Sequence, residues 1–119
     1  MGTILVVDDS PTALKALTDA LVGTGHRIIT ATDGEAAVQK ALQEHPDVIL
    51  LDVVMPGKNG FQVCRQLKAD VATKDIKIIL VTSKAQPSDR FWGLKQGADV
   101  YMTKPFEGPE LLKNVAACL

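Results

Sequence analysis

The sequence is poor in most of what marks a specialised surface. Its 119 residues include two cysteines, one tryptophan, one tyrosine and three phenylalanines. Thirteen lysines and arginines stand against fourteen acids, a formal net charge of -1. That balance leaves no electrostatic footprint for nucleic acid and none for an anionic membrane. So few aromatics leave little for a base-stacking platform. No apolar run approaches the ~18 residues of a membrane span. Cys64 and Cys118 fit no metal-ligand spacing. Each falls on the apolar side of a predicted helix, so both read as small reduced core residues, in keeping with a cytoplasmic location. Met1-Gly2-Thr3 leads straight into an apolar run, without a secretory leader. Val6 stands where an acylated Gly2 would want a hydroxyl residue four places on.

What is present is a regular alternation. Apolar strand-like runs at 3–9, 26–31, 46–52, 76–83 and 99–104 alternate with helical patterns at 10–23, 33–45, 59–70, 88–97 and 108–119. Ser10 and Pro11 suit the start of the first helix and Gly23 its stop. Asp33 is a candidate cap for the second, and Ser88 and Gly97 bound the fourth. Inward faces are predicted at Leu14, Leu17 and Leu21; at Val38, Ala41 and Leu42; at Phe61, Cys64 and Leu67; at Phe91 and Leu94; and at Leu111, Leu112, Val115 and Leu119. Strands one, three and four are unbroken apolar runs, as expected when helices cover both sheet faces. The pattern predicts one α/β domain over residues 1–119, with no linker, no repeat and no further output domain. Its five-stranded parallel sheet is flavodoxin-like, in order 2-1-3-4-5.

In such a sheet the chemistry collects at the carboxyl ends of the strands. The predicted ends carry Asp8-Asp9, Asp52, Thr82-Ser83 and Lys104-Pro105. Any one of these alone is an ordinary cap, strand-end hydroxyl or solvated lysine. Together they place three acids, a hydroxyl and an amine on one rim. "VILLDVVMPGKNG" puts Asp52 at the tip of an apolar strand, where a lone charge is costly. Clustered carboxylates need a cation, and Lys104 supplies only one charge. A hard divalent ion on oxygen ligands, Mg2+ above all, supplies the rest. A carboxylate ringed by a metal, an ammonium and a hydroxyl is a site for phosphoryl transfer, with the carboxylate as nucleophile.

The motifs "ILVVDDSP", "VILLDVVMPGKNG", "IILVTSKA" and "GADVYMTKPF" span the chain. Through them the sequence resembles the response-regulator receiver domains of two-component signalling, of the stand-alone chemotaxis type. "RFWGLKQGADVYMTKPF" is similar to receivers of type IV pilus and phototaxis chemosensory systems. The resemblance implies that Asp52 is the phosphoacceptor, supplied by a sensor histidine kinase. It implies that Asp9 binds Mg2+ directly and Asp8 mostly through water, with Asp52 and the Val54 backbone carbonyl completing the metal site. Thr82 and Lys104 would contact the phosphoryl group, and Thr82 and Tyr101 would form the switch. The Lys104–Pro105 bond would be cis.

The output implied is protein binding by a monomer, at the face of helix 4, strand 5 and helix 5. The expectation is that neither nucleic acid nor membrane is a partner and that the chain is not a turnover enzyme. Val54 and Lys84 stand at variable positions expected to set the phosphoaspartate lifetime. Trp92, beside the predicted core face of helix 4, suits either a partner surface or a neighbouring loop. Three rivals remain. An aspartyl phosphatase would want a second acid where Val54 stands. A flavin carrier would want a phosphate cradle where "DDSPT" places two acids. A phosphate sink without output is not separated from a messenger by sequence.

Overall fold

The computed structural model describes residues 2–119. In chain order the elements are β1 (Thr3–Val7), α1 (Pro11–Leu21), β2 (Arg27–Ala31), α2 (Gly34–Glu44), β3 (Val48–Leu51), α3 (Gly60–Ala69), β4 (Lys77–Thr82), α4 (Pro87–Lys95), β5 (Val100–Thr103) and α5 (Gly108–Cys118). The five strands pair in parallel, in the order β2-β1-β3-β4-β5, as the alternation predicts.

Local chemistry sets the helix starts. Ser10 Oγ accepts the Ala13 N–H at 3.2 Å, and Pro11 holds the first helical position. Asp33 Oδ1 accepts from Ala36 N–H at 2.7 Å. Asn59 and Gln62 form a reciprocal capping box at the start of α3. The fourth helix starts earlier than predicted. Gln86, not Ser88, is its cap residue, because Pro87 takes the first helical position and Asp89 Oδ2 accepts the Gln86 N–H at 3.3 Å.

The sheet separates two apolar clusters by strand alternation. Ile4, Val6, Val48, Leu50, Ile79, Val81 and Met102 meet Leu17 and Leu21 of α1 and Leu111 and Val115 of α5. Leu5, Val7, Ile49, Leu51, Ile78, Leu80 and Tyr101 meet Val38 and Ala41 of α2 and Val63, Cys64 and Leu67 of α3. Burial pushes the Cys64 thiol up to about 11, so it is a core group rather than a nucleophile; Cys118 is only half-buried.

Several predicted inward residues face out. Leu42, Leu112 and Leu119 are exposed, as are Phe91 and Leu94. On α2 and α5 the contact with the sheet is narrower than the apolar stripe. On α4 the reason is different: its one buried residue is Gly93, packed so closely that an added Cβ would lie 2.8 Å from the Tyr101 ring and 3.0 Å from Leu80. The helix meets the sheet through a glycine, and its large apolar side chains project away.

A second glycine ties the fold to the carboxyl rim. The Gly60 N–H donates to the Val53 carbonyl at 2.9 Å. A Cβ there would run into the Asp52 carbonyl oxygen and lie 2.8 Å from Val53 Cα. The start of α3 therefore rests on the backbone of Asp52. Gly60→Ala is expected to destabilise the fold by about 2 kcal/mol, because backbone rather than a flexible side chain must give. Urea unfolding measures this, and an unchanged midpoint would show that the close approach is not maintained.

Candidate functional site

The strand register explains how the rim residues converge. Val7 of β1 is level with Leu51 of β3, so Asp8 and Asp52, each one residue beyond, are neighbours. The ladder continues past both ends: the Asp8 N–H donates to the Ala31 carbonyl at 3.3 Å and the Asp52 N–H to the Val7 carbonyl at 3.1 Å. Both acids thus stand just beyond the strands, which stop at Val7 and Leu51 rather than including them. Thr82 is level with Thr103, and the Lys104 N–H donates to the Thr82 carbonyl at 2.8 Å. Carried one residue past the strand ends, the alternation puts Asp8, Asp52 and Lys104 on the α1/α5 side and leaves Thr82 and Tyr101 on the other.

The side chains meet accordingly. Lys104 Nζ donates to Asp8 Oδ2 at 2.7 Å and to Asp52 Oδ2 at 3.3 Å. Asp8 is fully buried and also accepts the Ser10 N–H, on Oδ1, at 2.9 Å. Asp52 is 7% exposed, and its Oδ1 accepts the Val54 N–H at 3.3 Å. Asp9 is exposed, yet it offers a carboxylate oxygen to the same cluster: one oxygen from each of Asp8, Asp9 and Asp52 lies within 4.8 Å of the others. Burial alone would lower the Lys104 pKa, but the Asp8 hydrogen bond and the Asp52 and Asp8 charges outweigh it and hold the ammonium above its ordinary value. One ammonium thus serves two buried carboxylates while a third borders them. That all-oxygen donor set suits a hard divalent cation such as Mg2+.

Thr82 is fully buried, and its Oγ1 accepts the Lys84 N–H at 3.4 Å. Tyr101 is 4% exposed and turned inward, with its hydroxyl donating to the Lys84 carbonyl at 2.7 Å. Burial, then the charges of Asp89 and Asp52, raise the Tyr101 pKa. Lys84 Nζ lies 3.9 Å from Asp89, and the Val54 side chain is exposed at the mouth of the site. The Lys104–Pro105 bond is cis. The structure therefore brings Asp8, Asp9, Asp52 and Lys104 together and places Thr82 and Tyr101 on adjacent strands beside them. Two residues with a part in this arrangement escaped the sequence reading. Gly93 is the seat of the Tyr101 ring and has no sequence signature inside a helical pattern. Arg90 Nη1 donates to the Tyr101 carbonyl at 3.3 Å and looks like any exposed helix cation.

Comparison with known proteins agrees with this arrangement. The profile of the response regulator receiver domain matches residues 4–116. The chain is 50% identical to Protein PilH of Pseudomonas aeruginosa, over 100% of its own length and 98% of that protein's. Its fold superposes on chemotaxis protein CheY4 of Vibrio cholerae with a TM-score of 0.92 and 32% identity, covering 100% of this chain and 99% of the other. It also superposes on the receiver domain of sensor histidine kinase PA1611 of Pseudomonas aeruginosa, with a TM-score of 0.89 and 30% identity over 98% and 95% of the two chains. That structure carries a magnesium ion coordinated in its active-site cleft. Sequence motifs, strand order and the clustered acids lead to one assignment: the chain belongs to the response regulator receiver domain family of two-component signalling.

Proposed function

We propose that this single-domain receiver takes a phosphoryl group from the phosphohistidine of a sensor histidine kinase onto Asp52, with Mg2+, and signals in the cytoplasm by binding another protein in a motility or taxis pathway. The observation that supports this most is the sharing of Lys104 between Asp8 and Asp52, with Asp9 alongside. In the transfer an Asp52 carboxylate oxygen forms a bond to phosphorus. The N–P bond of the donor breaks, and the departing imidazole nitrogen keeps the electron pair and takes a proton from water. Mg2+ held by Asp8, Asp9, Asp52 and the Val54 carbonyl would supply positive charge against the phosphoryl oxygens. Lys104 adds its ammonium on the other flank, and the apolar strand beneath Asp52 excludes water.

Phosphorylation replaces the single charge of the Asp52 carboxylate by about two on the phosphoryl group. Thr82 then turns its hydroxyl toward the phosphoryl oxygens, and Tyr101 occupies the space it leaves. The inward seat of Tyr101 is the arrangement that phosphorylation stabilises, and it shapes the face of α4, β5 and α5 offered to the output partner. A differential of about 5.5 kcal/mol suffices for a nearly complete shift. The domain acts as a monomer and assists only its own phosphorylation and hydrolysis. Where a phosphatase would hold a second acid, Val54 cannot protonate a leaving group.

A labelled low-molecular-weight phosphoramidate tests this reading. Alkali-labile label is expected on the chain with Mg2+ and not in chelator; incorporation indifferent to Mg2+ would refute it. Val54→Asn is expected to shorten the lifetime of the label several-fold, because a carboxamide at this exposed position can hold the attacking water, and Lys84→Glu is expected to change it as well. Decay rates that match the parent in both variants would remove these positions from hydrolysis.

A further inference from the structure

The flank of α4 that faces α3 carries a groove whose outer half this chemistry does not use. Two shallow hollows share Asn59 and Phe61 and so run together. The outer hollow lies between Trp92 and Arg65, and the inner one ends at Val54 and Lys84, at the mouth of the Asp52 site. Trp92 is 50% exposed and Val54 53% exposed, a large apolar area to leave in water.

The charged and capping groups of the polar rim share one chemical sense. Asn59 Oδ1 accepts the Gln62 N–H at 3.0 Å, and Gln62 Oε1 accepts the Asn59 N–H at 2.8 Å. The backbone donors of this capping box fix both carboxamide oxygens in place, which leaves the two NH2 groups as the free valences. The charged lining residues are Arg65 and Lys84, both cations. Lys84 has Asp89 at 3.9 Å, while Arg65 makes no ion pair among the described residues. The groove therefore has an apolar floor and a rim rich in hydrogen-bond donors, with no acid among its lining residues.

We propose that this groove docks a short acidic and apolar segment of a partner protein, with its hydrophobic side chains on Phe61 and Trp92 and its carboxylates on Arg65 and the Asn59 and Gln62 amides. Shape favours a segment of protein over a small molecule, since both hollows are open along their length and neither encloses a ligand. The groove lies on the opposite flank of α4 from Arg90, which reaches back to Tyr101, so it is distinct from the α4, β5 and α5 face. Its anchoring residues Trp92 and Arg65 line the outer hollow, which contains none of the residues that touch Asp52, so binding is expected with or without phosphorylation.

The test is a selection of short displayed peptides on the full chain, followed by affinities from fluorescence polarisation of labelled copies. Enriched peptides are expected to combine Asp or Glu with Leu, Phe or Trp, and to shift the emission of Trp92, the sole tryptophan. Trp92→Ala and Arg65→Glu are each expected to weaken binding about tenfold or more. Leu94→Ala, on the other flank, leaves it unchanged. All three positions are exposed, so circular dichroism should find each variant folded. Replacing the peptide acids by lysine should abolish binding. The proposal is overturned by any of four results: no enrichment, peptides without acidic bias, binding retained in Arg65→Glu, or sedimentation showing that a second copy of the chain fills the groove.

Discussion

Asp52→Asn is expected to cut phosphoryl incorporation by about two orders of magnitude or more while leaving the fold intact. Carboxamide and carboxylate have nearly the same shape, so the apolar surroundings of β3 lose no contact. The chemistry changes in two ways. The amide has no anionic oxygen to attack phosphorus, and the site loses one of the charges that draws a cation. Hydrogen bonding adds a local conflict. Asp52 uses both oxygens, one for the Val54 N–H and one for Lys104 Nζ, and a carboxamide has only one to offer. Lys104 is then left mainly to Asp8. The variant is therefore expected to bind Mg2+ more weakly as well as to remain unlabelled. Labelling of Asp52→Asn at the parent rate would move the acceptor elsewhere, with Asp9 the exposed candidate in the cluster.

Lys104→Met is expected to cost about 3 kcal/mol of stability in chelator, or roughly 10 °C in Tm, and to recover much of it on addition of Mg2+. Asp8 is fully buried and has Lys104 as its one ion-pair partner among the described residues. Methionine fills much of the same volume, so the loss is that of charge rather than packing. Two buried carboxylates and an adjacent third then face one another without a counter-ion, and a divalent cation restores the balance. Because the folded-state pKa of Lys104 lies above its ordinary value, its stabilising contribution is fully present below about pH 10 and fades only as the solution becomes strongly alkaline. Measurements near neutrality are thus free of titration of this group. Equal Tm values for variant and parent in chelator would show that Asp8 does not depend on the ammonium.

Much of this arrangement is legible in the order of residue types. Alternation of apolar runs with amphipathic segments fixes a parallel sheet, and right-handed crossovers leave few strand orders to choose among. Charged or hydroxyl residues at the ends of four such runs then lie together for topological reasons, which is why the sequence alone groups Asp8, Asp52 and Lys104. Burial on single helices was less legible. A periodic Leu or Phe reports an apolar stripe but not how wide a contact the sheet offers, so periodicity points Leu42, Leu112 and Leu119 inward while they lie exposed. The start of α4 turned on Pro87, whose fixed φ outweighs a serine one residue later as a helix signal. Gly93 left no trace at all, because close approach of a helix to an aromatic ring is a relation between distant residues. The Tyr101 hydroxyl bond to a backbone carbonyl is likewise invisible in side-chain identities.

The glycine seat of α4 has a kinetic consequence. A helix held to the sheet mainly by a glycine contact and one arginine hydrogen bond, with its bulky side chains in solvent, contributes little buried area to its own retention. Its amides should therefore be among the first of the regular elements to exchange in heavy water, by local opening that leaves β4 and its neighbours protected. On the proposed reading, the helix that carries the message is thus one held to the sheet over a small area.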